Sequence, residues 1–183
     1  MPNWCAGNIR FRGKKDDVIK LLKENIIYCK YKVSDKGKGL GETMEKPAKV
    51  EVDDDWEVIL SSPYEDPEGS WCYIGTTHRN FLSLLGTSDT TIHSAKVYQD
   101  EKIDEFIVVF DSFQAAWGID PEPYVAMSEK YNVDIKIIGF EQGMGFDQYI
   151  EIINGDLVKN EGSGSLGSYG KWVWESTLPY LGG

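Results

Sequence analysis

The stretch Asp104-Glu105-Phe106-Ile107-Val108-Val109-Phe110, continued through Asp111-Ser112-Phe113-Gln114-Ala115-Ala116-Trp117, decides how this chain is read. Glu105 to Trp117 is too long and too continuously apolar for an edge strand. It is expected at the centre of a sheet, with at least one face covered. Asp120-Pro121-Glu122-Pro123 then opens a helix, with Asp120 as N-cap and Pro121 at the first helical position. Tyr124, Met127 and Tyr131 follow at helical spacing and are expected to face the sheet. Val133, Ile135 and Ile137 point inward from a strand while Asp134 and Lys136 point outward. Beyond Gly143-Met144-Gly145, Phe146, Ile150 and Ile152 alternate with Asp147, Tyr149 and Glu151. Asn154-Gly155 supplies the positive φ angles of a two-residue turn, and Leu157-Val158 returns. Strand, helix, strand, hairpin is a βαββ order, and one small sheet with a helix across it accounts for it.

Working back toward the N-terminus, Trp4 to Phe11 alternates as a strand and Gly13 breaks it. A helix follows through Glu24, with Asp16 and Asp17 in its first turn and Val18, Leu21 and Leu22 as its apolar stripe. Ile26 to Val33 alternates again, with Tyr28, Lys30 and Lys32 on a basic outer face. Ser34 to Pro47 is rich in Gly and Lys and reads as a loop. No helix opens behind Gly37-Lys38-Gly39-Leu40-Gly41, which argues against a phosphate cradle. Val50 to Leu60 reads as a strand bearing Asp53-Asp54-Asp55. Adjacent strand residues point to opposite faces, so the three carboxylates do not converge on a cation and read better as a solvated turn. Trp71 to Gly75 is a short strand and Asn80 to Leu85 a short helix closed by Gly86. His78 and His93 lack partners at ligand spacing. The chain thus divides into residues 1–103, an α+β module with a basic first part; 104–160, the βαββ module; and 161–183, a Gly/Ser connector followed by a Trp-rich strand around Trp172 and Trp174.

Of the 183 residues, 41% are hydrophobic and 13% aromatic, as a globular chain requires. No apolar run approaches the roughly 20 residues of a membrane helix. The N-terminus lacks the basic-then-apolar pattern of a secretory signal, and the expected location is the cytoplasm. Cys5, Cys29 and Cys72 are odd in number and widely spaced, and read as reduced, buried thiols. No metal and no cofactor is expected. The net charge of −11 is uneven: residues 1–50 carry 12 Lys and Arg against 6 Asp and Glu, and the remainder carries 7 against 24. Such a chain is repelled by nucleic acid unless its basic part is segregated, and is drawn toward proteins with basic surfaces.

Two places bear a resemblance. Met1-Pro2-Asn3-Trp4-Cys5 with Asn8, then a strand, a Gly and a helix, resembles the start of Api92-like proteins, found in phages, plasmids and integrated elements of bacteria. Trp117-Gly118, Pro121, Pro123, Glu141 and Gly143-Met144-Gly145-Phe146 are similar to the ferredoxin-like domain that ends those proteins, with Gln142 where the family has Pro. The resemblance implies a mobile-element origin and an α+β fold: a ferredoxin-like antiparallel sheet with helices on one face, in one or two such modules. It brings no activity and no catalytic residues.

Physically, Gly143 and Gly145 serve a chain reversal flanked by Glu141 and Phe146, and Trp117 ends the long strand, so these groups are expected to gather at one end of the sheet. The functional expectation is a non-catalytic accessory protein that binds a host protein with a basic surface. One form of it is an inhibitor of a nucleic-acid-handling defence complex, anti-CRISPR-like, with carboxylates in sites meant for phosphates. Its partner-binding candidates are Asp53, Asp54, Asp55, Trp117, Glu141 and Phe146. The alternative is a single-stranded nucleic-acid-binding module, with Tyr28, Lys30 and Lys32 beside Arg10 and Arg12 as a stacking platform, a reading that the overall charge opposes. No residue set spells out a reaction, and no enzyme is expected.

Overall fold

The computed structural model describes residues 3–31, 43–54, 57–66, 68, 70–75, 80–82, 90–99, 102–141 and 143–163. In chain order these form β1 (Trp4–Gly13), α1 (Lys15–Asn25), β2 (Ile26–Tyr31), β3 (Thr43–Pro47), β4 (Lys49–Val52), β5 (Val58–Ser61), β6 (Trp71–Ile74), β7 (Asn80–Leu82), β8 (Thr90–Gln99), β9 (Lys102–Ala116), α2 (Glu122–Tyr131), β10 (Asp134–Glu141), β11 (Phe146–Ile153) and β12 (Asp156–Ser163). The architecture is α+β: antiparallel strands and two helices. No helix among the described residues is long and apolar enough to cross a membrane.

The long apolar run forms β9, and β9 is the junction of the sheet. One edge pairs with β1 from Phe106 to Ala116. The other edge is shared: Lys102 to Val109 pairs with β8, and Phe113 to Ala115 with β7. Two arms leave from that edge, β8–β5–β4 and β7–β6–β2–β3. On the opposite side the order is β9, β1, β10, β11, β12. The strand at the chain's start thus lies between two strands from its second half, and the sheet is continuous across residue 103.

Both helices lie on one face. Ile9 and Phe11 of β1, Phe106, Val108 and Phe110 of β9, Ile135 and Ile137 of β10, and Ile150 and Ile152 of β11 form the core with Val18, Leu21 and Leu22 of α1 and Tyr124, Met127 and Tyr131 of α2. Between Ile9↔Phe110 and Gly7↔Phe113, β9 contains one residue more than β1. That bulge keeps the two strands in phase, so burial passes from Phe110 to Phe113 without a change of face. The helices are tied directly. The Tyr131 hydroxyl donates to Glu24 Oε2 at 2.6 Å, and Lys130 Nζ donates to the same oxygen at 3.0 Å.

Four expectations are corrected. The helix at Asn80–Leu85 is, over residues 80–82, the strand β7; residues 83–85 lie outside the described residues. Three residues wedged between β6 and β9 gain ladder bonds on both edges, while a six-residue helix nucleates poorly. Thr43–Pro47, read as the end of a loop, is the edge strand β3 paired with β2. All five of its residues are exposed, so no hydrophobic alternation marks it. The single strand Val50–Leu60 is the hairpin β4–β5, with Asp53 and Asp54 at its turn. Helix α2 begins one residue late: Pro121 is the N-cap, and Asp120 Oδ1 accepts the Glu122 N–H at 3.2 Å from just outside. The Asn154-Gly155 turn forms as expected, with φ of 52° and 82°. The Trp-rich tail around Trp172 and Trp174 lies outside the described residues, as does most of the Gly/Ser connector.

Two substitutions test this packing. A Cβ on Gly7 would lie 1.9 Å from the Ile138 carbonyl oxygen, so β1 and β10 must part to admit it. Gly7→Ala is expected to cost more than about 3 kcal/mol in urea unfolding. The Tyr124 hydroxyl is buried with no hydrogen-bond partner. Tyr124→Phe removes that uncompensated group and keeps the ring, and should raise stability by about 1 kcal/mol.

Candidate functional site

At the end of the sheet where β1 begins, three segments meet: Asn3–Cys5, the β9–α2 turn and the β10–β11 turn. The Trp117 N–H donates to the Asn3 carbonyl at 2.9 Å, extending the β1–β9 ladder by one bond. Trp117 itself has φ of 67°, and Gly118 follows at 113°. Positive φ costs a bulky L-residue on the order of 1–2 kcal/mol. The indole is 60% exposed. Beyond it, Gln148 holds the turn as a strand would. Its Oε1 accepts the Ile119 N–H at 2.7 Å, and its Nε2 donates to the Ile119 carbonyl at 3.2 Å.

The second turn is held by a carboxylate. Glu141 is fully buried; Oε1 accepts the Gly143 N–H at 2.9 Å and Oε2 accepts the Met144 N–H. Gly145 closes the reversal at φ of 66°. Met144 is thereby presented to solvent, while Phe146 is half-buried with its ring edge 3.8 Å from where a Gly118 Cβ would sit. Trp117, Glu141 and Phe146 therefore belong to one end of the sheet. Glu141 is committed to its own turn, so the surface groups there are Trp117 and Met144, with Phe146 beneath.

The other candidates lie elsewhere. Asp53 and Asp54 are at the β4–β5 turn, on the arm reached through β8; Asp53 Oδ1 accepts the Glu57 N–H at 2.8 Å, which fixes that turn. Asp55 lies outside the described residues. The stacking platform is not assembled. Tyr28 is only 1% exposed, and Lys30 pairs with Asp66 at 2.9 Å. β2 is separated from β1 by β6, β7 and β9, so Arg10 and Arg12 are not its neighbours. Lys32 lies outside the described residues. The alternation that put Tyr28 outward fails because Tyr28 and Cys29 are both buried. Arg10 and Arg12 instead face outward from β1 beside β10, where Arg12 Nη2 contacts Asp134 Oδ2 at 2.5 Å.

Gln148 and Met144 carry the geometry of this end without having been singled out in the sequence. Gln148 occupies an inward phase of β11, the one it shares with Ile150 and Ile152. A polar side chain at an apolar phase is the signal that it binds backbone. Among the described residues no group of three or more His, Cys, Asp or Glu is arranged to hold a metal ion. In comparisons with known proteins, no family model, no curated protein and no solved structure matches the chain.

Cys5 lies under this end, its thiol 3.9 Å from Gln148 Oε1. Burial first, then the charges of Glu141 and Asp147, push its pKa up to about 12. The unfolded thiol ionises near 9, so above that pH the unfolded chain releases a proton that the native protein retains, and stability falls as pH rises toward 12. Urea unfolding at pH 8 and pH 10 should show that loss, and Cys5→Ala should reduce the slope.

Proposed function

We propose that this protein is a non-catalytic binding factor of a phage or other bacterial mobile element, acting in the host cytoplasm, and that it engages a host protein through Trp117. The exposed indole at positive φ carries this reading. Tryptophan is the side chain most enriched at the energetic centre of interfaces, and a large apolar group left in water at a strained position calls for a compensating role. Met144 widens the patch with a flexible apolar contact, and Gln148 and Glu141 keep both supporting turns rigid before binding. The net charge of −11 supports a partner with a basic surface, since complementary charge speeds encounter. On this reading the partner handles nucleic acid, and acidic turns such as Asp53-Asp54 occupy sites meant for phosphates in a host defence complex.

The resemblance to Api92-like proteins supports the mobile-element origin. It also supports reading β1–α1–β2 and β9–α2–β10, with β1 between β9 and β10, as a ferredoxin-like core widened by the strands inserted between β2 and β9.

The test is affinity capture from a bacterial host lysate with and without nuclease, followed by titration of the purified partner. Capture should survive nuclease, and affinity should fall steeply with salt. Trp117→Gly should weaken binding by at least about 30-fold while raising stability by roughly 1 kcal/mol, because Gly relieves the backbone strain. Binding that needs nucleic acid, ignores salt or survives Trp117→Gly would reject the reading.

A further inference from the structure

We infer that the sheet face opposite the helices carries a second site, distinct from the Trp117 end: a groove for a small amphipathic anion whose phosphate or carboxylate sits between Arg10 and Lys136. The groove measures about 250 Å³ and opens across β9, β1, β10 and β11. Its size suits a ligand of about one ring, being smaller than most drug-sized pockets.

The charge arrangement singles out the anion. Arg10 and Lys136 are direct cross-strand partners in the β1–β10 ladder, so their side chains leave the same face side by side. Like charges placed so destabilise a sheet unless something stands between them. Arg12, two residues along, is answered by Asp134. Arg10 and Lys136 are not: the Arg10 guanidinium donates from Nε to the neutral Asn8 Oδ1 at 3.2 Å, and neither cation has an ion-pair partner among the described residues. Glu151 stands directly opposite Lys136 on β11, yet the ammonium lies over the Tyr149 ring, 4.6 Å from its centroid. Lys159, which pairs with Glu161 at 3.2 Å, contacts the same ring at 4.1 Å. Two carboxylates also line the groove, but Asp134 is taken by Arg12 and Glu151 lies on the far side of Lys136, so none stands between Arg10 and Lys136.

The apolar part follows from the floor. Ile107, Val109 and Ile153 line the groove and are half-buried. A bare inorganic ion leaves them wet, whereas a ring or short chain attached to the anion covers them.

The experiment is a ¹H–¹⁵N titration of the full chain with phenyl phosphate, benzoate and inorganic phosphate. Saturable shifts are expected at the amides of Arg10, Val109 and Lys136. Phenyl phosphate or benzoate should bind at least about tenfold more tightly than inorganic phosphate, and the better of the two identifies the anion. Arg10→Gln combined with Lys136→Gln should weaken that binding at least about tenfold, while Lys49→Gln on distant β4 leaves it unchanged. Four outcomes overturn the inference: no saturable shift at about 10 mM, equal binding by the double variant, no preference over inorganic phosphate, or binding of a short oligothymidylate without binding of phenyl phosphate.

Discussion

The ladder between β1 and β9 is the interaction on which the rest of the molecule depends. It sets the phase of every inward residue on both strands, and through the bulge beyond Phe110 it keeps that phase along fifteen residues of β9. Because β1 is also paired with β10, the N-terminal strand closes the second half of the chain as much as the first. Gly7 is where this closure is tightest, with the backbone of Ile138 filling the space a side chain would need. The helices cover what the ladder aligns: Phe11 meets Phe110 edge-on at 6.0 Å, and Phe113 meets Tyr124 edge-on at 6.4 Å.

What was legible in the sequence was local. The central strand announced itself by uninterrupted apolar length, α1 by Val18, Leu21 and Leu22, and the last turn by Asn154-Gly155. What was not legible depended on partners far along the chain. β3 has no apolar alternation because both of its faces are exposed, and only its pairing with β2 makes it a strand. β7 is too short to carry a period and exists because two neighbours supply its hydrogen bonds. The position of β1 inside the second half follows from pairing, which residue spacing does not encode.

The candidate site divides along the same line. That Trp117, Glu141 and Phe146 gather at one end was readable from the turn glycines and the strand ends. That Glu141 would be consumed by its own turn was not, since a buried carboxylate satisfied by two N–H groups resembles any other Glu in sequence. The basic platform failed for a comparable reason. Alternation placed Tyr28 on the same side as Lys30, but the core reaches around β2 and encloses both Tyr28 and Cys29.

The position of β1 also bears on how the chain is made. Ala6 pairs with Gln114 of β9 and with Phe140 of β10, so β1 waits for more than a hundred further residues before both of its edges are covered. At ordinary translation speeds of about 5–20 residues per second, that interval is roughly 7–30 seconds. For most of it, a strand containing Ile9 and Phe11 has both edges open to improper partners. Arg10 and Arg12, alternating with those apolar residues, give the nascent segment a charged face during the wait, which is the usual protection of an unpaired edge.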